Sequence, residues 1–454
     1  MSLYHAYNHV PALGSQVNHA RWHTRRDSGS GHGGGRADPS LVVSQVFTEP
    51  DLASAQRVGA TCTLARASDV LTFASDGTLT TFGTNVPAMP SFSFDGTTWN
   101  NNGVLFEPAG TNLVPKPNDF ADAAWQKASL TVSTDTTLAP DGTTASLATN
   151  NGGASAIFDA MTITGDATIA ISIRAKHAVG STWAHLRCAT GGNEIDAWAN
   201  LQTGAMGSTA VLGTGAIDDS GLVDIGGGWY VLWMVGSIGS GATAPSFVFI
   251  SADADASQTE VNGDAHYIFG ADLKEADELS SYVEVAATPR AATSFLLPSY
   301  SDWYDETVGF TLLMKGIVWK KADVGGTVWR VVDFAESGGA TDRILLAYDP
   351  GDELRLIVVN GGATTADEKR AGFTPNASHN IAARVIPNDI KIAVDGNLSS
   401  GDTTNSLPAL ADLDAFGIGD TISSASDLDG HFTLKGLQIY KEAKDDTWLT
   451  AQTS

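Results

Sequence analysis

The sequence predicts an all-β protein: two tandem jelly-roll or β-sandwich domains behind an extended N-terminal anchoring segment. Three observations point there. Charged residues are only 17% of the chain while Gly numbers 48, a mixture suited to short strands and tight turns rather than to amphipathic helices rich in Lys, Glu and Leu. Apolar residues alternate with a period of two over many short stretches. Between those stretches stand turn signatures such as Ser75-Asp76-Gly77, Ala139-Pro140-Asp141-Gly142-Thr143 and Asp395-Gly396-Asn397. In these, Pro presets φ and Asp-Gly takes the positive-φ corner.

A chain of 454 residues exceeds what one core organises and implies two or three domains. The net charge of −25 argues against nucleic-acid binding, which needs a basic footprint. That charge is unevenly placed. Residues 1–47 hold Arg21, Arg25, Arg26 and Arg36 against Asp27 and Asp38, a net +2 that leaves −27 on the rest. A small basic arm on an acidic body is a docking signature. Cys62 and Cys188 give neither a disulfide framework nor metal-type spacing, and both are expected to be small buried residues. No basic-then-apolar leader opens the sequence and no run of about 18 apolar residues occurs. The expectation is synthesis in a cytoplasm without membrane insertion.

Taken in order, residues 1–38 read as an extended anchor and a hinge. Tyr4, Tyr7, Arg21, Trp22, Arg25 and Arg26 are the candidate docking residues, and Ser28–Gly35 (SGSGHGGG) is a linker by composition. The pairs His5/His9 and His19/His23 have helical spacing but lack a second set of ligands, so metal is not assigned there. Residues 39–106 form a β-rich lead-in, with strands at 60–65, 70–74 and 78–81, expected to pack on the first sandwich. Residues 107–297 are that sandwich. Its clearest alternation lies at 167–176, where Ile169, Ile171 and Ile173 face one way and Ala170, Ser172 and Arg174 the other. The stretch 228–235 is apolar on both faces, which makes Trp229 and Trp233 core residues rather than sugar platforms. Residues 298–454 form the second sandwich, with strands at 310–319, 327–334, 344–348, 354–359, 380–386 and 390–394.

Several phrases carry a resemblance. FEPAGTNLV (106–114), NDFADAAWQKASLTV (118–132) and APDGTTASLAT (139–149) come first, then the stretches 171–176, 227–230 and 267–292. Together, across roughly residues 58–297, they resemble a carbohydrate-binding-module-like domain common in bacteriophage tail-fibre and other virion-surface proteins. Further on, the Val394-Asp395-Gly396 hairpin, Gly417-Ile418-Gly419 and the closing HFTLKGLQIYKEAKDDTWLTAQT resemble a concanavalin-like or laminin-G-like jelly roll. The resemblance implies a virion surface protein, a fibre or spike. It would be a homotrimer that docks on the particle by its N-terminus and meets host-cell polysaccharide through its sandwiches. The alternatives are a glycan depolymerase, hydrolase or lyase, and a purely structural decoration protein.

No catalytic residues are read from the chain. A glycanase would place two carboxylates roughly 5–9 Å apart across the bond, and no Glu-x-Asp-x-x-Glu strand motif occurs. A G-x-S-x-G elbow, a P-loop and a dinucleotide fingerprint are missing as well. Calcium is kept as a candidate ligand of the acidic loops at 251–255 with Asn262 and Asp264, at Asp218-Asp219 and at 427–429, though none has EF-hand spacing. The candidate glycan site comes from pairing two strands. Trp183–Cys188 and Glu194–Leu201 alternate about a Gly191-Gly192 turn. Pairing at a constant index sum sets Leu186 beside Ala197 and Cys188 beside Ile195 on the core side. The same register sets Arg187 opposite Asp196, His185 opposite Trp198 and Trp183 opposite Asn200 on the other face. Aromatic rings for C–H faces and charged groups for hydroxyls are what sugar recognition uses.

Overall fold

The alternating stretches form strands. A computed structural model describes residues 38, 40–48, 56–58, 63–153, 155–164, 167–239, 241, 243–259, 261–284, 289–297, 300–320, 328–336, 339, 341–349, 351–419, 422 and 430–454. The docking residues Tyr4, Tyr7, Arg21, Trp22, Arg25 and Arg26, the hinge at 28–35, Cys62 and the acidic loop 427–429 lie outside the described residues. Residues 40–454 form one compact unit.

The lead-in contributes β1 (Leu41–Val46), β2 (Gln56–Val58), β3 (Thr63–Ala65), β4 (Val70–Phe73), β5 (Leu79–Phe82), β6 (Ser91–Phe94) and β7 (Trp99–Phe106). The first sandwich holds β8 (Gln126–Ala128), β9 (Leu130–Leu138), β10 (Thr144–Asn150), β11 (Ala156–Ala160), β12 (Ile169–Val179), β13 (Trp183–Thr190), β14 (Asn193–Asn200), β15 (Ala205–Leu212), β16 (Ala216–Asp224), β17 (Tyr230–Ser237), β18 (Ser246–Ala252) and β19 (Ala265–Glu275). After it come β20 (Ser294–Leu296), β21 (Phe310–Trp319), β22 (Trp329–Ala335), β23 (Arg343–Asp349), β24 (Glu353–Asn360), β25 (Ala363–Ala371), β26 (Ser378–Ile386), β27 (Asp389–Val394), β28 (Asn397–Leu398), β29 (Ala415–Ile418), β30 (Phe432–Leu434), β31 (Gly436–Tyr440) and the helix α1 (Asp446–Thr453).

The first sandwich stacks the sheet β16-β17-β12-β19-β10-β9 on the sheet β15-β14-β13-β18-β11-β8. Between them lie Ile169, Ile171 and Ile173 with Leu186, Ile195, Phe247 and Phe249. The face alternation read at 167–176 is therefore that between the core and the sheet's other face, where Ala170, Ser172 and Arg174 are buried as well. Trp229 is buried and donates its indole N–H to the Leu138 carbonyl at 3.2 Å. Trp233 packs beside it.

The second sandwich draws on both ends of the chain. One sheet runs β25-β24-β23-β22-β29-β20-β3. The other runs β2-β1-β31-β21, continues through β26-β27-β28, and from the C-terminal end of β21 passes into β30-β7-β6-β4-β5. The lead-in therefore does more than pack on the first sandwich. Val43, Phe47, Leu64, Val104 and Phe106 are members of the second core, and Phe106 stacks on Phe432 with ring centroids 4.6 Å apart. The β4–β5 hairpin and Trp99 of β7 turn to the first sandwich, where Leu71 and Leu79 meet Ile225, Val231 and Phe269. The first sandwich is thus inserted between strands of the second. Its neck is the bridge Gly110–Arg290, with reciprocal backbone hydrogen bonds of 2.9 and 2.7 Å.

The sheet containing β21 is covered on both sides, which is why 310–319 reads as a nearly unbroken apolar run. Its outer cover is α1. Asp445 caps that helix by accepting from the Trp448 N–H at 2.7 Å, and Leu449 packs on Leu313, Ala382 and Ala393. Where β7 meets β30, Gly103 takes φ +83°, and a Cβ there would collide with the Leu434 carbonyl. Gly103→Ala is expected to destabilise the protein by more than about 1 kcal/mol, read as a lower urea midpoint.

Candidate functional site

The Gly191-Gly192 turn, with φ of 54° and 96°, is open to residues that tolerate positive φ and closes a two-residue hairpin. It fixes the β13–β14 register at Trp183–Asn200, His185–Trp198, Arg187–Asp196, Leu186–Ala197 and Cys188–Ile195. The six candidate residues do share one face. Ala184, Leu186, Cys188, Ile195, Ala197, Ala199 and Leu201 all lie on the other, in the core.

The outward face is largely covered. His185 is 0% exposed, Trp198 2% and Asp196 3%. Their rings stack at 4.1 Å between centroids, His185 on Trp198. The loop after β18 lies across them: Trp198 Nε1 donates to the Ser257 carbonyl at 2.7 Å, and Asp255 accepts from the Ser208 N–H of β15 at 2.7 Å. Burial lowers the His185 pKa against the pull of Asp196, so the neutral ring donates from Nε2 to Asp196 Oδ1 at 2.6 Å. Burial alone would raise Asp196; hydrogen bonds from His185 and Arg187 outweigh it and hold the carboxyl below its usual range. Asn200 is occupied by capping the next turn, accepting from the N–H groups of Gln202 and Thr203 at 3.0 Å. The partly exposed members are Trp183, Arg187 and the turn-capping Asn200. Arg187 bonds Asp196 Oδ1 through Nε at 2.7 Å and faces Glu194 at 3.3 Å. Glu194 and the covering loop were not legible as part of this site. The loop reads only as an acidic turn.

A second constellation sits at the neck of the insertion. Glu107 and Arg290 are each 1% exposed in their side chains and lie 3.1 Å apart. His431, beside β30, reaches Glu107 at 3.4 Å and Glu278 at 3.1 Å. Ser281 donates its N–H to Glu107 at 2.5 Å, and Arg290 donates to the Pro108 carbonyl at 2.8 Å. Burial alone would raise Glu107, but Arg290, then His431 and Ser281, hold it far below the carboxylate range. Burial alone would lower His431; Glu278 and Glu107 override it and raise the imidazole to about 9. The FEPAGTNL phrase is thus the neck itself.

Against this ionic cluster opens a cavity of about 290 Å³. Leu71, Leu79 and Leu105 of the lead-in face Val223, Val231 and Trp233 of the first sandwich across it. Lys320 and Asn376 of the second sandwich close one side. Among the described residues no group of three His, Cys, Asp or Glu side chains could hold a metal ion. Among them, too, no helix is long and apolar enough to cross a membrane. Cys188 is buried and its thiol pKa is pushed up by burial.

No protein-family model matches the chain, and no curated protein matches it. Solved structures do. The CBM40 module of the Ruminococcus gnavus IT-sialidase, bound to α2,3-sialyllactose, aligns at 14% identity and a TM-score of 0.29, over 33% of this chain and 83% of that one. The NanB sialidase of Streptococcus pneumoniae aligns at 10% identity and 0.28, over 33% and 24%. Domains LG4-5 of the mouse laminin α1 chain align at 11% identity and 0.24, over 75% and 92%. Likeness of that degree assigns no ligand.

Proposed function

We propose that this chain is a surface component of a phage or phage-like particle that holds host-surface glycans without cutting them. The observation that carries the glycan part is the outward face of β13–β14. There Trp183 and Arg187 are partly exposed, while His185, Asp196 and Trp198 are buried beside them on the same face. A ring and a guanidinium fixed on a sheet are preorganised for a sugar's C–H face and its hydroxyls. The particle part rests on the sequence phrases and on the basic arm over residues 1–38. Trimer formation and docking on a particle protein belong to the same reading.

Two experiments test it. Full-length protein incubated with host polysaccharide should be retained on it without generating new reducing ends. Generation of such ends would replace the reading with a depolymerase. Protein lacking residues 1–38 should fold and stay soluble yet be missing from particles labelled with an antibody against the second sandwich. Normal labelling would remove the docking role.

A further inference from the structure

The cavity at the neck has a chemistry that glycan contact does not use. Of its carboxylates, Glu107 is committed to Arg290, His431 and Ser281, Glu278 lies against His431, Asp219 accepts from the Ser220 N–H, and Asp277 also has a partner. The Lys320 side chain lines the same space and makes no ion pair or hydrogen bond with any described residue, while its backbone N–H donates to the His431 carbonyl at 2.9 Å. Burial pulls its pKa below the ordinary lysine value. The Trp233 indole N–H, buried on the opposite wall, likewise has no partner among the described residues. Lys320 and Trp233 are therefore unspent donors, one of them a cation.

Much of the remaining wall is aliphatic, beside Thr72, Arg174, Asp219, Asp277, Ser280 and Asn376. Leu71, Leu79, Leu105, Val223, Val231 and Val235 all border the space. Sugar hydroxyls placed against this aliphatic part would lose their water without a partner, at a cost. An extended hydrocarbon body gains from the same surface. The volume is close to the lower bound for small-molecule sites, roughly 300 Å³. We infer that this cavity binds an organic anion with an apolar body, a medium-chain carboxylate, whose head group pairs with Lys320 and whose chain lies between the lead-in hairpin and β16–β17. Such a ligand would touch the lead-in and both sandwiches at once, and would tie the inserted sandwich to its host.

The test uses full-length protein and three probes in titration calorimetry: octanoate, octanol and glucuronate. Octanoate is expected to bind saturably, with octanol at least about tenfold weaker, the factor one charge-assisted hydrogen bond supplies. Lys320→Met should bring octanoate down to the octanol level and leave octanol unchanged. Val223→Trp, which adds bulk at a 41% exposed lining position, should block both, with thermal unfolding as in the parent protein. Saturable octanoate binding that ignores Lys320→Met would overturn the head-group assignment. Glucuronate binding tighter than octanoate, or no octanoate binding at all, would overturn the ligand class.

Discussion

Arg290→Met is expected to lower the unfolding free energy by about 3–5 kcal/mol, the cost of leaving one partner of a buried ion pair uncompensated. The side chain keeps comparable bulk, so the loss reports charge rather than volume. Glu107 would be left among Ser281 and His431 alone, in a site 1% exposed. The pH dependence follows from His431. Its folded pKa of about 9 lies above the unfolded value near 6.5, so its contribution is complete below pH 6.5 and disappears as pH rises through 9. The stability difference between the parent protein and His431→Gln should hold steady below pH 6.5. It should then shrink by on the order of 3 kcal/mol by pH 9 or above. Glu107 acts at the other limit: its depressed pKa gives stability above the unfolded value near 4.3 that is lost as pH falls. Urea unfolding at a series of pH values reads both. A difference that grows with pH would mean the imidazole is neutral in the fold.

Trp198→Ala is expected to cost about 3–5 kcal/mol. The ring is 2% exposed, stacks on His185 and donates to Ser257, so truncation opens a cavity and strands a carbonyl. Trp183→Ala, at a partly exposed position on the same face, should change stability by less than about 1 kcal/mol. Paired denaturant midpoints distinguish the two. Equal losses would mean that Trp183 is also structural and that this face has no open edge.

The strands and their local pairings were legible because they are local. The run 310–319 is β21 at those bounds, and the β13–β14 register followed from two alternating stretches about one Gly-Gly turn. The Ala139–Thr143 turn closes as its residues require, with Gly142 N–H donating to the Ala139 carbonyl at 2.9 Å. Partners distant in sequence were not legible. β1 lies along β31, where Ser44 and Gln438 are 394 positions apart, and the alternation of LVVSQV names an apolar face but no neighbour. The same limit hid the ionic neck. Glu107, Arg290 and His431 share no spacing, and only the fold brings them within ion-pair distance. Burial of the outward β13–β14 face escaped for a different reason. Period-two patterning tells which residues share a face, but whether water or a loop covers that face depends on chain elsewhere, here residues 253–259.

Trp183 is the residue on which the glycan reading turns. The most direct measurement is the affinity of full-length protein and of Trp183→Ala for host polysaccharide, by titration calorimetry at matched thermal stability. The account predicts saturable binding by the parent protein and a loss of roughly tenfold or more in the variant, a factor that about 1.4 kcal/mol of ring contact supplies. Equal affinity in the two proteins would contradict it and move the contact away from the β13–β14 face.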